Sequence, residues 1–174
     1  MERASSSNDA FGLLGLPAQF DLDPSTIESA FFEKSKELHP DRYASAPAAE
    51  RVLALSKSRA LNDAYQTLKK PIARAEYLLA RAGVKIGDNE RLDPTFLMEI
   101  LELREELAEA RVARRMADID RLAKVMAVRK KTAVDALPAL FDRNDLAAIK
   151  EQLILLRYIE RYLDECDAAL DEED

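Results

Sequence analysis

The stretch Phe31-Phe32-Glu33-Lys34-Ser35-Lys36-Glu37-Leu38-His39-Pro40-Asp41-Arg42 reads as the end of one amphipathic helix and the start of a turn. Upstream, Asp23-Pro24 is a helix-start signal: a carboxylate caps free backbone N–H groups, and proline fits the first helical position. Ile27, Ala30, Phe31 and Leu38 then fall largely on one face, while Glu33, Lys34, Lys36 and Glu37 populate the others. Pro40 stops this helix, because the residue before a proline is pushed out of the α region. Arg42–Pro47 reads as a loop. Pro47 opens a second helix, with an expected apolar face of Val52, Leu55, Leu61, Tyr65 and Leu68, closed by Lys69-Lys70 near the negative end of its dipole. His39-Pro40-Asp41 thus sits between two amphipathic helices. Taken alone, the tripeptide reads as a helix-ending proline between two polar turn residues.

Working outward, Asp9–Leu14 reads as one or two helical turns ended by Gly15 and Pro17. After Pro71, a helix over Ile72–Ala82 carries Ala75, Leu78 and Leu79 and stops at Gly83, a good residue just past a helix end. Val84–Leu92, with Gly87, Asp88, Asn89 and Glu90, has the composition of a linker. Asp93-Pro94 repeats the earlier start signal. Helices are expected at Thr95–Val112, at about Met116–Leu137 closed by Pro138, and from a cap near Asn144 or Asp145 to about Leu170. Three such helices with short connections predict an antiparallel bundle. The expected organisation is therefore a disordered tail (1–8), a hairpin domain with a connecting helix (9–82), a linker (83–92), a three-helix bundle (93–170) and an acidic tail (171–174).

Composition agrees with an all-α chain. Hydrophobic residues make up 48% and charged residues 34% of the 174, with four Gly and no Trp, and Val, Ile and Thr never alternate in strand fashion. A formal net charge of −7 argues against general nucleic-acid binding, which needs a basic surface to displace counterions. The run Arg111–Lys131 holds eight Lys or Arg, but Asp118 and Asp120 interrupt it and no aromatics are interleaved, so it reads as a solvated helix face. No apolar run approaches membrane-spanning length, and Met1–Asn8 lacks the apolar core of a signal peptide. Cys166, the only cysteine, can form neither an internal disulfide nor a closed thiolate site; it reads as a half-buried packing residue of the last helix, in a reducing cytoplasm. His39 is the only histidine. No hydrolase elbow and no phosphate-cradling glycine loop are present, so neither catalysis nor a bound cofactor or metal is expected.

The short segment Phe11-Gly12-Leu13-Leu14-Gly15-Leu16, the capped helix ending in His39-Pro40-Asp41, and the returning helix together resemble the J domain of DnaJ-like proteins over roughly residues 8–75. The resemblance implies that the tripeptide contacts a DnaK-type chaperone in its ATP-bound state and promotes hydrolysis there. On that basis His39, Pro40 and Asp41 are the stimulating triad. Lys34, Lys36 and Arg42 are the basic patch that meets the chaperone. Proline stiffens the turn, which lowers the entropy lost on docking; Asp41 suits a charge-assisted hydrogen bond from an arginine.

The remainder resembles the HscB family rather than general DnaJ proteins, which continue into Gly/Phe-rich and cysteine-rich regions that this chain lacks. The resemblance rests on Lys70-Pro71-Ile72-Ala73-Arg74-Ala75-Glu76-Tyr77-Leu78-Leu79 and on Phe96-Leu97-Met98-Glu99-Ile100-Leu101-Glu102-Leu103-Arg104-Glu105-Glu106-Leu107. It is weakest over Arg111–Asp145, where helical pattern alone carries the reading. It implies an IscU-type iron–sulfur scaffold bound by Leu97, Met98, Leu101, Glu102, Glu105 and Glu109, with Tyr158 where the family has phenylalanine. It also implies an HscA/DnaK-type ATPase partner. The lack of the N-terminal cysteine-pair extension carried by some eukaryotic relatives suggests a bacterial form. The first bundle helix has more apolar positions than one buried stripe needs, so some are expected to face outward as an interface. Three alternatives stand beside this reading: a J protein with another client, a helical adaptor in which the tripeptide is only a turn, and an enzyme with a dispersed acid–base pair.

Overall fold

A computed structural model describes residues 9–88 and 90–171. The expected tails at 1–8 and 172–174, and Asn89 of the linker, lie outside the described residues. Helices follow one another without a strand among the described residues, in two compact units that divide between Ala82 and Gly83.

The N-terminal unit contains α1 (Ala10–Leu14), α2 (Pro24–Glu37), a 3-10 turn (Pro40–Tyr43), α3 (Ala48–Lys69) and α4 (Pro71–Arg81). Asp9 caps α1 by accepting from the Gly12 amide at 2.7 Å, and Gly15 ends it at φ 67, a left-handed conformation that glycine adopts without a Cβ clash. Asp23 caps α2 through the Ser25 amide, a bond that holds its carboxyl below the ordinary range together with the Ser25 hydroxyl, the larger cause. Phe11, Leu14, Ile27, Leu61, Ala64 and Leu68 form the core between α1, α2 and α3. Val52 and Leu55, expected on the buried face of α3, are exposed (69% and 54%). The reason is helical geometry: Val52 lies nine residues, two and a half turns, before Leu61, and so on the opposite side. Ala54, Leu61, Ala64 and Leu68 are the true buried row.

Two devices clasp the ends of this unit. The Tyr77 hydroxyl accepts the Ala10 amide at 2.9 Å, satisfying a first-turn donor of α1, and Arg81 pairs with Asp9 at 3.0 Å. Arg74, buried at the α3–α4 joint, donates to the Leu68 carbonyl at 2.7 Å and lies over the Phe20 ring. Its guanidinium pKa is lowered by burial.

The C-terminal unit contains α5 (Pro94–Val112), α6 (Met116–Asp135), α7 (Leu137–Asp142) and α8 (Leu146–Asp171). Two expectations change here. Pro138 opens the short extra helix α7 instead of closing α6, its missing N–H falling among first-turn amides that need no helical partner. Asp171, expected in the tail, is the last residue of α8. Arg114 and Asn144, at φ 52 and 51, make the tight exits from α5 and α7. Asp145 caps α8 through the Ala148 amide.

Phe96, Ile100, Leu107 and Ala110 of α5, Ile119, Leu122 and Met126 of α6, and Ile159, Tyr162, Cys166 and Ala169 of α8 form the bundle core. The Tyr162 hydroxyl donates to the Leu103 carbonyl at 3.1 Å. Burial pushes the neighbouring Cys166 thiol up to about 11 and raises the Tyr162 hydroxyl still further above its usual value. Cys166, expected to be half-buried, is fully enclosed by the bundle core and is thus an inert packing group.

Candidate functional site

Two groups of sequence-predicted residues occur, one in each unit. In the first, His39 has an extended backbone (φ −60, ψ 134), as the following proline requires, and its side chain caps the 3-10 turn. The Asp41 amide donates to His39 Nδ1 at 3.3 Å. In the neutral ring, an Nδ1 that accepts this bond leaves Nε2–H as the free donor. The Asp41 carboxylate is 3.5 Å from the same Nδ1 and forms an ion pair with the ring only when the ring is protonated. Both side chains are well exposed, at 60% and 92%. The tip therefore presents one N–H donor and one carboxylate acceptor on a backbone stiffened by Pro40. A residue that sequence reasoning missed closes the loop: the Tyr43 hydroxyl donates to the Glu37 carbonyl at the end of α2.

The cations near this tip differ from one another. Lys34 pairs with Glu37 at 3.5 Å and Lys36 with Glu33 at 2.8 Å, both on the exposed surface of α2. Such exposed pairs contribute little and exchange readily for a partner's carboxylates. Arg42 is exposed beside the triad and has no ion pair within the described residues.

The second group lies on α5. While Ile100 is 1% exposed, Leu97, Met98 and Leu101 are 41%, 58% and 50% exposed. Five glutamates lie on this helix, and they divide in the same way as the apolar residues. Glu99 pairs with Arg129 and Glu106 with Arg121 of α6. Glu102, Glu105 and Glu109 are exposed and have no ion pair among the described residues. Helical spacing puts these three on the face that carries Leu97, Met98 and Leu101. The result is an apolar strip bordered by uncompensated negative charge.

Tyr158 is half-buried against the core, with the Arg161 guanidinium over its ring. The Tyr162–Leu103 hydrogen bond and the Arg104–Glu165 pair set α5 and α8 in a parallel register. That register brings Tyr158 to the level of Leu97 and Met98. Six of the seven bundle residues predicted from the sequence thus lie along one face of α5, and Tyr158 of α8 stands level with its N-terminal part. The basic run on α6 proves more than a solvated face: Arg121 and Arg129 bind α5, and Lys130 binds Glu160 of α8 at 2.9 Å.

Among the described residues no cluster of His, Cys, Asp or Glu is placed to hold a metal ion, and no helix is long and apolar enough to cross a membrane.

A hairpin with an exposed His-Pro-Asp tip and a separate helical bundle define a J-domain co-chaperone. Comparison with known families divides the chain in the same way: the DnaJ domain matches residues 9–77, and the HSCB C-terminal oligomerisation domain matches residues 92–167. The chain belongs to the HscB co-chaperone family. It is 36% identical to the co-chaperone protein HscB homolog of Burkholderia cenocepacia, over 96% of this chain and 97% of the relative. It is 54% identical to the homolog of Vibrio vulnificus over a shorter match, 57% of this chain and 59% of that relative's length. Among solved structures, chaperone HscB from Vibrio cholerae superposes with a TM-score of 0.81 at 34% identity, covering 94% of this chain and 98% of that one. Human co-chaperone protein HscB gives 0.85 at 26% identity, covering 94% and 83%.

Proposed function

We propose that this chain delivers an IscU-type iron–sulfur scaffold protein to an HscA/DnaK-type chaperone and stimulates that chaperone's ATP hydrolysis. The cluster is the scaffold's cargo, and the hydrolysis belongs to the partner; the chain itself catalyses nothing in this reading. The observation that carries the proposal is the division on α5, where the apolar residues left outside the core coincide with the glutamates left without cations. An exposed apolar strip in a negative field fits a partner with apolar and basic side chains. Met98 adds an adaptable contact.

The J unit supplies the other half. His39 Nε2–H and the Asp41 carboxylate engage the ATP-bound chaperone, and Lys34, Lys36 and Arg42 guide its approach. Tethering both partners to one chain raises the scaffold's effective concentration at the chaperone. The proposed setting is the bacterial cytoplasm, where Cys166 stays reduced.

The test separates the two halves. His39→Gln should abolish ATPase stimulation and leave scaffold affinity unchanged. Leu97→Ser with Leu101→Ser should weaken scaffold binding roughly a hundredfold, as removal of two central anchors does, while stimulation without scaffold persists. Stimulation by the His39 variant at the wild-type level would end the J-domain half. Undiminished calorimetric binding by the leucine variant would end the scaffold half and favour a different client.

A further inference from the structure

We infer that the scaffold-docking surface proposed for α5 extends across the helix boundary onto α6, where Val125 and Val128 are contact residues for the same partner. This inference rests on the reading of α5 as the scaffold-binding helix.

Both valines are unusually open for members of a bundle helix, at 55% and 67% exposed, while Ile119, Leu122 and Met126 of the same helix are buried. They belong to a different side of α6. Val125 lies four residues after Arg121 and four before Arg129, and both arginines reach α5. Residues four apart share a helix face, so Val125 is on the row that borders α5, and Val128 follows one turn on.

The two ion pairs also fix the register. Glu106 with Arg121 and Glu99 with Arg129 run antiparallel, so Val125 stands opposite Glu102 and Leu103, and Val128 opposite Glu99 and Ile100. The valines are therefore level with Met98 and Glu102, on the α6 flank of α5. Tyr158 of α8, level with Leu97 and Met98, flanks α5 on the other side. The apolar surface crosses three helices at one end of the bundle instead of following one.

Charge selects the occupant. Each cation beside the valines already has a carboxylate of this chain: Arg121 has Glu106, Arg129 has Glu99, Lys124 has Asp120 and Lys131 has Asp135. The charges without counterions on the adjoining α5 face are Glu102, Glu105 and Glu109. The combined patch is apolar with a net negative border, which suits a basic partner and opposes pairing with a second copy of the same acidic patch.

The experiment uses the full-length chain and a purified IscU-type scaffold protein in calorimetry. Val125→Ser and Val128→Ser should each weaken binding by roughly five- to tenfold, the loss expected when a contact valine becomes polar. Val128→Ile should retain affinity, as should Val52→Ser, an exposed valine of the other unit. If a serine variant lowers the melting temperature by more than a few degrees, the isosteric Val→Thr pair replaces it, with the same weakening expected. If Leu97→Ser with Leu101→Ser weakens binding but the α6 variants do not, the extension is wrong and the α5 reading stands. If the wild-type chain does not bind the scaffold, both fall. A wild-type dimer in sedimentation that the α6 variants dissolve would assign the valines to copy-to-copy contact and overturn the inference.

Discussion

The two units expose their candidate residues by opposite means. In the N-terminal unit, His39, Pro40 and Asp41 are accessible because packing stops: the tip lies beyond the buried row of α3 and is held by local hydrogen bonds from Asp41 and Tyr43. In the C-terminal unit, Leu97, Met98 and Leu101 are accessible on a helix whose other side is fully packed. A loop tip can change its residues without cost to the core. A helix with two apolar sides keeps one for stability and, in the function proposed above, the other for a partner. Function and folding should therefore be separable by substitution in both units, but in α5 the separation runs between adjacent residues.

The largest effect expected from this contrast is on stability. Ile100→Ala removes a side chain that is 1% exposed and should cost about 2–5 kcal/mol in denaturant unfolding. Leu101→Ala, its neighbour, should stay within about 0.5 kcal/mol of wild type. Equal losses would mean that Leu101 is core, and the two-sided reading of α5 would be wrong.

A smaller effect sharpens the account of the N-terminal unit. Tyr77→Phe keeps the ring near Phe11, 5.9 Å between centroids, and removes the hydroxyl that accepts the Ala10 amide. One part-buried N–H is left without its acceptor, and stability should fall by about 1 kcal/mol. No change would show that Arg81 with Asp9 holds α1 unaided.

A separate effect concerns alkaline pH and arises in the bundle, where Cys166 and Tyr162 are both kept neutral by burial. An unfolded thiol titrates near about 8.5, whereas the folded one is raised to about 11. Between these values the unfolded chain releases a proton that the folded chain keeps, so stability present below about pH 8 declines as pH rises. The urea midpoint should drift down from pH 8 to pH 10, less steeply in Cys166→Ala. A flat or rising midpoint would contradict the assignment.

The helices and their proline-marked starts were legible in the sequence, because caps, prolines and apolar periodicity act within one or two turns of chain; the hairpin with its tripeptide tip was legible through the resemblance to J domains. The excess of apolar positions on α5 was legible too, as was the expectation that some face outward. Misreadings came where a local rule had two outcomes. Pro138 could end a helix or open one, and it opened α7. Val52 and Leu55 are apolar in a helical segment, yet apolarity alone does not choose the buried side. The signal for Val125 and Val128 was present, since both lie off the Ile119–Leu122–Met126 stripe, but an off-stripe valine acquires meaning only from what stands beside it.

By itself the sequence determined an all-α chain in two parts, a stiff His-Pro-Asp turn and a bundle helix with more apolar residues than one core can take. Only the tertiary structure decided which glutamates of α5 keep a cation and which do not, and which valines of α6 adjoin them. Those outcomes depend on register between helices far apart in the chain, set by packing and interhelical ion pairs that no local pattern encodes.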